Sequence, residues 1–245
     1  MKISILSIFP EMFEGFLTTS IIKKAILQDL AEVEIVDFRL FTKDKHNRVD
    51  APPYGGGHGL VLLYQPIIDA LKSIKTKDSY VVMIGPAGNT YDQNKVKSFS
   101  QIQHLILICG HYEGYDERIL NHVDEVISIG DYILTGGELA AMVVTDSIIR
   151  LLPGVIREES HQYESFENNL LEHAQYTKPR KIDGFSVPEV LLSGHHKNID
   201  TYRSESSIEK TFKYRKELLE KAKLSPEQEA IFKTLKANKN KEDLW

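Results

Sequence analysis

Two short apolar runs in the middle of the chain set its pattern: Leu105 to Cys109 stops at Gly110, and Val126 to Ile129 stops at Gly130. Runs of this length bounded by glycine predict strands buried on both faces of a parallel sheet, with loops that carry ligands at their carboxyl ends. Lys2 to Phe9 and Val33 to Phe38 read as further strands. Between them Met12, Phe13, Phe16, Leu17, Ile21, Ala25 and Ile26 fall near helical spacing, so a first strand-helix-strand unit is expected, its helix opening at Pro10. Tyr80 to Ile84 is a β-branched strand that leads into Gly85-Pro86-Ala87-Gly88, read as a turn. Gln65 to Ile74, Asp92 to Ser100, Asp116 to Asn121 and Glu138 to Leu151 read as helices. Three strand ends, at Gly85 to Gly88, Gly110 to Gly114 and Gly130 to Gly137, then fall on one sheet edge and form one pocket.

The remaining stretches have a different character. Thr42 to Gly59, with two prolines and four glycines, is a long loop of the kind that usually serves a function. Arg157 to Glu172 is polar and weakly patterned, Gln175 to Asn198 is turn-rich, and Ile208 to Leu219 and Pro226 to Leu235 read as helices. The expected organisation is an α/β domain over 1–156, a flexible linker over 157–172 and a small, mostly helical domain over 173–245.

Composition narrows the function. A chain of 245 residues with 42% hydrophobic content can fill a sizeable core. Cys109 is its single cysteine, so no intrachain disulfide can form and a reducing compartment fits. The opening segment is interrupted by Pro10 and Glu11 and does not read as a signal peptide, and no apolar run nears the roughly 20 residues of a membrane helix. A cytoplasmic location without a membrane partner is expected. The net charge of −5 disfavours nucleic acid as a partner, yet Lys197 to Lys223 holds eight basic and five acidic residues, a local net of +3. A solvated helix face is the plainer reading of that cluster.

Familiar chemistries are poorly served. No G-x-G-x-x-G follows the first strand, and neither a serine-hydrolase elbow nor a Walker lysine is present. The adjacent His195 and His196 point apart on any regular element, and one cysteine makes no thiolate cluster, so no metal site is expected. Glu113, Asp116 and Glu117 stand too close in sequence to flank a sugar. A glycine-lined pocket without phosphate-binding groups suits a ligand such as an adenosyl group that carries no phosphates.

The segments CGHYEGYDER, SIGDYILTGGE, VDAPPYGGG, LLPGV and YTKPRKIDGFSVPEVLLSGHH resemble the signature segments of bacterial tRNA (guanine-N1) methyltransferases, in the same order and over nearly the whole chain. The resemblance implies a trefoil-knotted α/β fold, S-adenosylmethionine as methyl donor, a homodimer, and methylation of N1 of guanosine 37 beside the tRNA anticodon. It implies cofactor contacts from Met83, Ile84, Gly85, Pro86 and Gly88, from Gly110, Tyr112, Glu113 and Gly114, and from Ile129, Gly130, Asp131, Tyr132, Ile133, Leu134, Gly136 and Gly137. It implies Glu164 as base, where the family usually has aspartate, and Arg150 as the cation beside O6. Glu159 and Glu167 lie close enough to be confused with Glu164. The plainer readings are a surface carboxylate for Glu164 and a helix-dipole partner for Arg150. The resemblance also raises a magnesium requirement. The alternatives are a related knotted enzyme acting on another RNA position and a non-catalytic RNA-binding protein.

Overall fold

The computed structural model describes residues 1–157 and 164–242, with side chains through 237. It divides into two compact units, Met1–Arg157 and Glu158–Trp245. The first is built on five strands: β1 (Lys2–Ser7), β2 (Glu32–Asp37), β5 (Ser79–Thr90), β6 (His104–Cys109) and β7 (Glu125–Ser128). All pair in parallel, in the order β2-β1-β6-β5-β7. A short antiparallel pair, β3 (Asp50–Ala51) and β4 (Val61–Leu62), brackets the glycine-rich loop.

Alternation along the central strands explains why both faces are covered. Ile3, Ile5, Leu105 and Leu107 pack on one side with α2 (Ser20–Leu27) and α5 (Glu138–Ile149). Leu6, Val81, Met83, Ile106 and Ile108 pack on the other with α3 (Tyr64–Ile74). Every residue of β6 is buried. Cys109 closes that strand, and burial, with the nearby Glu138 charge adding to it, pushes its thiol well above the usual range. His104 opens the strand, its ring nitrogens 3.0 Å from Ser4 Oγ and 2.7 Å from Ser79 Oγ.

Three local expectations change. The single helix expected after Pro10 is three pieces: a 3-10 turn at Pro10–Phe13, α1 (Glu14–Leu17) and α2. Thr18 and Thr19 return their hydroxyls to the carbonyls of Glu14 and Gly15, and Ser20 takes φ +53°, which breaks the helical path. Gly85 to Gly88 is not a turn at a strand end. It is an excursion inside β5, which pairs with Ile127 twice, through Ile84 and again through Asn89. The helix expected from Asp116 to Asn121 is a 3-10 helix, Glu117–His122, while α4 (Gln93–Phe99) forms inside the expected Asp92 to Ser100 window.

The second unit contains β8 (Lys181–Ile182) paired with β9 (Phe185–Ser186), then α6 (Glu189–Leu192), α7 (His196–Tyr214), α8 (Lys216–Leu219) and α9 (Pro226–Glu242). Of the expected linker, 158–163 lies outside the described residues. Its end is tied to α7, where Leu171 N–H donates to Thr211 Oγ1 at 2.9 Å and Ser207 Oγ donates to Leu171 O at 2.6 Å, and just beyond it Ala174 N–H donates to Ser206 Oγ at 3.0 Å.

Candidate functional site

The loops after β6 and β7 meet the excursion of β5 around a cavity of about 390 Å³, within the range of small-molecule sites. Backbone bonds fix the meeting. Gly137 N–H donates to Gly110 O at 2.8 Å, and His111 bridges to Gly136. On the opposite side Glu113 N–H donates to Leu60 O at 3.0 Å, and Leu62 N–H to Gly114 O at 2.9 Å, so the β3–β4 loop braces the same wall.

Gly137 and Gly88 are required by close approach. A Cβ on Gly137 would lie 2.8 Å from Cys109 Cα, and one on Gly88 would lie 2.4 Å from the Ile127 nitrogen, both main-chain atoms. Tyr112 holds φ +59°, a left-handed conformation that costs a residue with a side chain and clusters at ligand sites. Burial pushes its phenol above the ordinary value, with the Asp50 charge adding to the shift.

Ile84, Gly85, Pro86, Gly110, Tyr112, Glu113, Gly114, Ile129, Gly130, Tyr132, Ile133, Leu134, Gly136 and Gly137, all anticipated from sequence, line the cavity. Three anticipated residues do not. Met83 is fully buried in the core below, Gly88 packs on the Ile127 backbone, and Asp131 lies outside the lining. Four others join the wall: His111, Ser128, Thr135 and Ala140. His111 sits inside the GHYEG segment, between Gly110 and Tyr112, and its place in that loop carried a readable signal. Ser128 and Ala140 belong to a strand and a helix, where pattern alone shows only core.

Among the described residues that line it there is no lysine or arginine, so the cavity has no grip for phosphate. Backbone amides and carbonyls, apolar side chains, Glu113 and His111 remain, a donor set that fits an uncharged nucleoside with a cationic or amino-acid tail. Arg150 caps the carboxyl end of α5, and its N–H donates to Asp146 O. Glu164 belongs to the second unit, at the start of a tight bend in which Phe166 N–H donates to Leu170 O at 2.8 Å. No group of three or more metal-ligating side chains occurs among the described residues.

The family model for tRNA (guanine-1)-methyltransferase TrmD matches residues 1–221. The chain belongs to that family. It is 58% identical over 218 residues to a tRNA (guanine-N(1)-)-methyltransferase of Malacoplasma penetrans, covering 89% of this chain and 96% of the relative. Proteins of the same name from Mycoplasma mycoides and Bacillus cereus are each 49% identical, over 96% and 98% of this chain and 99% and 100% of theirs. The parallel α/β unit and the helical C-terminal region accord with the family's knotted fold. Gly136 and Gly137 return onto Cys109, Gly110 and His111 and close one side of the cavity.

Proposed function

We propose that the glycine-walled cavity holds S-adenosylmethionine and that the chain transfers its methyl group to N1 of guanosine 37 in tRNA. Membership in the family makes the chain a tRNA (guanine-N1)-methyltransferase. The observation that carries the cofactor assignment is a cavity closed by main chain at Gly110 and Gly137, free of cationic lining, and large enough for a nucleoside with a short tail. When bound, S-adenosylmethionine supplies an electrophilic methyl on a sulfonium.

The protein's own residues must manage the guanine. N1 carries a proton that leaves as the methyl arrives, and a carboxylate of ordinary pKa, about 4.3, cannot remove it in the ground state. Glu164 therefore accepts the proton in the transition state while Arg150 stabilises the charge developing on O6.

The second unit is the tRNA anchor. Its cations rest on aromatic rings: Arg215 lies 5.7 Å from the Phe166 centroid, Lys216 5.3 Å from Phe212 and Lys236 4.1 Å from Phe232. Such stacking holds the charges in place for phosphates. A homodimer is supported by α5, which is buried at Ala141, Val144 and Ile148 yet leaves Leu139 and Val143 half exposed. A helix apolar on both sides belongs between two surfaces. No described helix is long and apolar enough to cross a membrane, and a cytoplasmic site of action follows from the substrate.

The test is transfer of a labelled methyl group to an unmodified tRNA transcript, followed by nucleoside identification. N1-methylguanosine that disappears when guanosine 37 is replaced supports the reading. Label at another position, or none, overturns it.

A further inference from the structure

Behind the cavity wall lies a buried carboxylate that the proposed chemistry does not use. Glu138 is 2% exposed, at the first position of α5. One of its oxygens accepts a hydrogen bond from Ser7 Oγ at 2.7 Å. The other faces His111 Nδ1 at 4.0 Å, too far for a hydrogen bond, and that nitrogen is buried with no partner. Gly136 is wedged against both: a Cβ there would sit 2.4 Å from Glu138 Oε2 and 2.4 Å from His111 Nδ1. Gly136, Gly137, His111 and Ala140 all line the cavity, so the carboxylate stands one layer of main chain behind the wall. Among the described residues His111 is its only ion-pair neighbour.

Burying a carboxylate is expensive unless a positive charge is supplied. The α5 amino terminus and the Ser7 hydroxyl supply part of it. Resting on the cofactor assignment above, we propose that Glu138 is a positioning and discriminating charge, its only partly offset field favouring the cationic sulfonium donor over the neutral thioether left after transfer. The donor completes the charge balance on entering. Methyl transfer removes the cation, so the attraction ends with the reaction and the spent cofactor is released more readily. A charge several ångströms away in a partly screened pocket is worth about tenfold in affinity.

The experiment is calorimetric titration of the full-length protein with S-adenosylmethionine and, separately, S-adenosylhomocysteine. Glu138→Gln keeps an oxygen for Ser7 and removes the charge. It should lower donor affinity about tenfold and leave thioether affinity within about twofold. Equal weakening of both ligands would show a merely structural carboxylate and overturn the inference. Ser7→Ala provides a second arm that does not depend on the folding of the first variant. It removes a dipole that partly neutralises the carboxylate, so the preference for donor over thioether must hold or grow, and a fall in that preference would also overturn the inference. If the wild-type protein binds neither ligand, the cofactor assignment itself fails, an outcome distinct from equal weakening.

Discussion

The two units are held together by different means, and the difference governs how each binds. β6 is buried at all six positions, whereas α7, with 19 residues, buries only Ser206, Ile208 and Thr211. Two of those three are hydroxyl residues that accept hydrogen bonds from the backbone at Ala174 and Leu171. The first unit is thus a close-packed apolar body whose site is made of main chain. The second is a polar assembly fastened by side chain to backbone bonds, with a local excess of cations from Lys197 to Lys223. A main-chain site recognises shape and tolerates no added atom, while a charged surface recognises a polyanion and tolerates much.

The largest expected effect would break a simple division into a catalytic unit and an anchoring one. If Glu164, which belongs to the second unit, is the base, Glu164→Gln should lower kcat by about 10² to 10⁴ while tRNA affinity stays within about twofold. Single-turnover kinetics with a filter-binding control measures both, and near-normal turnover would remove Glu164 from that role. Next in size, Gly137→Ala presses a methyl group onto Cys109 Cα and the Gly110 nitrogen, atoms that cannot swing aside. Turnover should fall about a hundredfold from misplacement of the loop. Gly184→Ala, in the second unit, meets nothing within 4 Å at φ +85°, so thermal denaturation should show a loss of about 1–2 kcal/mol and turnover should be unchanged.

Salt sharpens the contrast further. Raising it from about 50 to about 200 mM should weaken tRNA binding by at least about tenfold and leave cofactor affinity nearly constant. A flat tRNA response would mean that the cations of the second unit are not what holds it. The smallest effect concerns His104, whose pKa burial lowers below the ordinary 6.5, with Lys2 adding to the shift. The folded protein keeps the ring neutral where the unfolded chain would take a proton. Its contribution to stability is therefore full above the unfolded value and declines as pH falls through that value toward the folded one. The melting temperature should drop between about pH 7.5 and pH 5.5, and drop less in His104→Gln; equal slopes would remove His104 as a cause.

Much of this contrast was legible in the residues. The runs ending at Gly110 and Gly130 marked buried strands with ligand loops because a short stretch that is mostly apolar leaves little solvent face to give up. The excursion at Gly85 to Gly88 was not legible, since glycine and proline signal a departure from regular backbone without saying whether the strand resumes. It resumes because Asn89 finds Ile127 again, a tertiary fact. That the Met83 side chain is buried against α3 was likewise not legible, since a period of two assigns a residue to a face of the sheet without saying which element covers that face. The pairing of His111 with Glu138 was hidden because it crosses 27 positions and exists only where Gly136 brings the two together.

Cys109 gives the molecule a clock of its own. It is the chain's single thiol, it is 1% exposed at the end of the central strand, and its proton is held tightly. A thiol reagent can reach it only when that strand parts from its neighbours. The rate of its modification in the native protein therefore times the opening of the sheet beside the cavity, with no engineered label, and slowing by a bound ligand reads out how firmly that ligand holds the sheet shut.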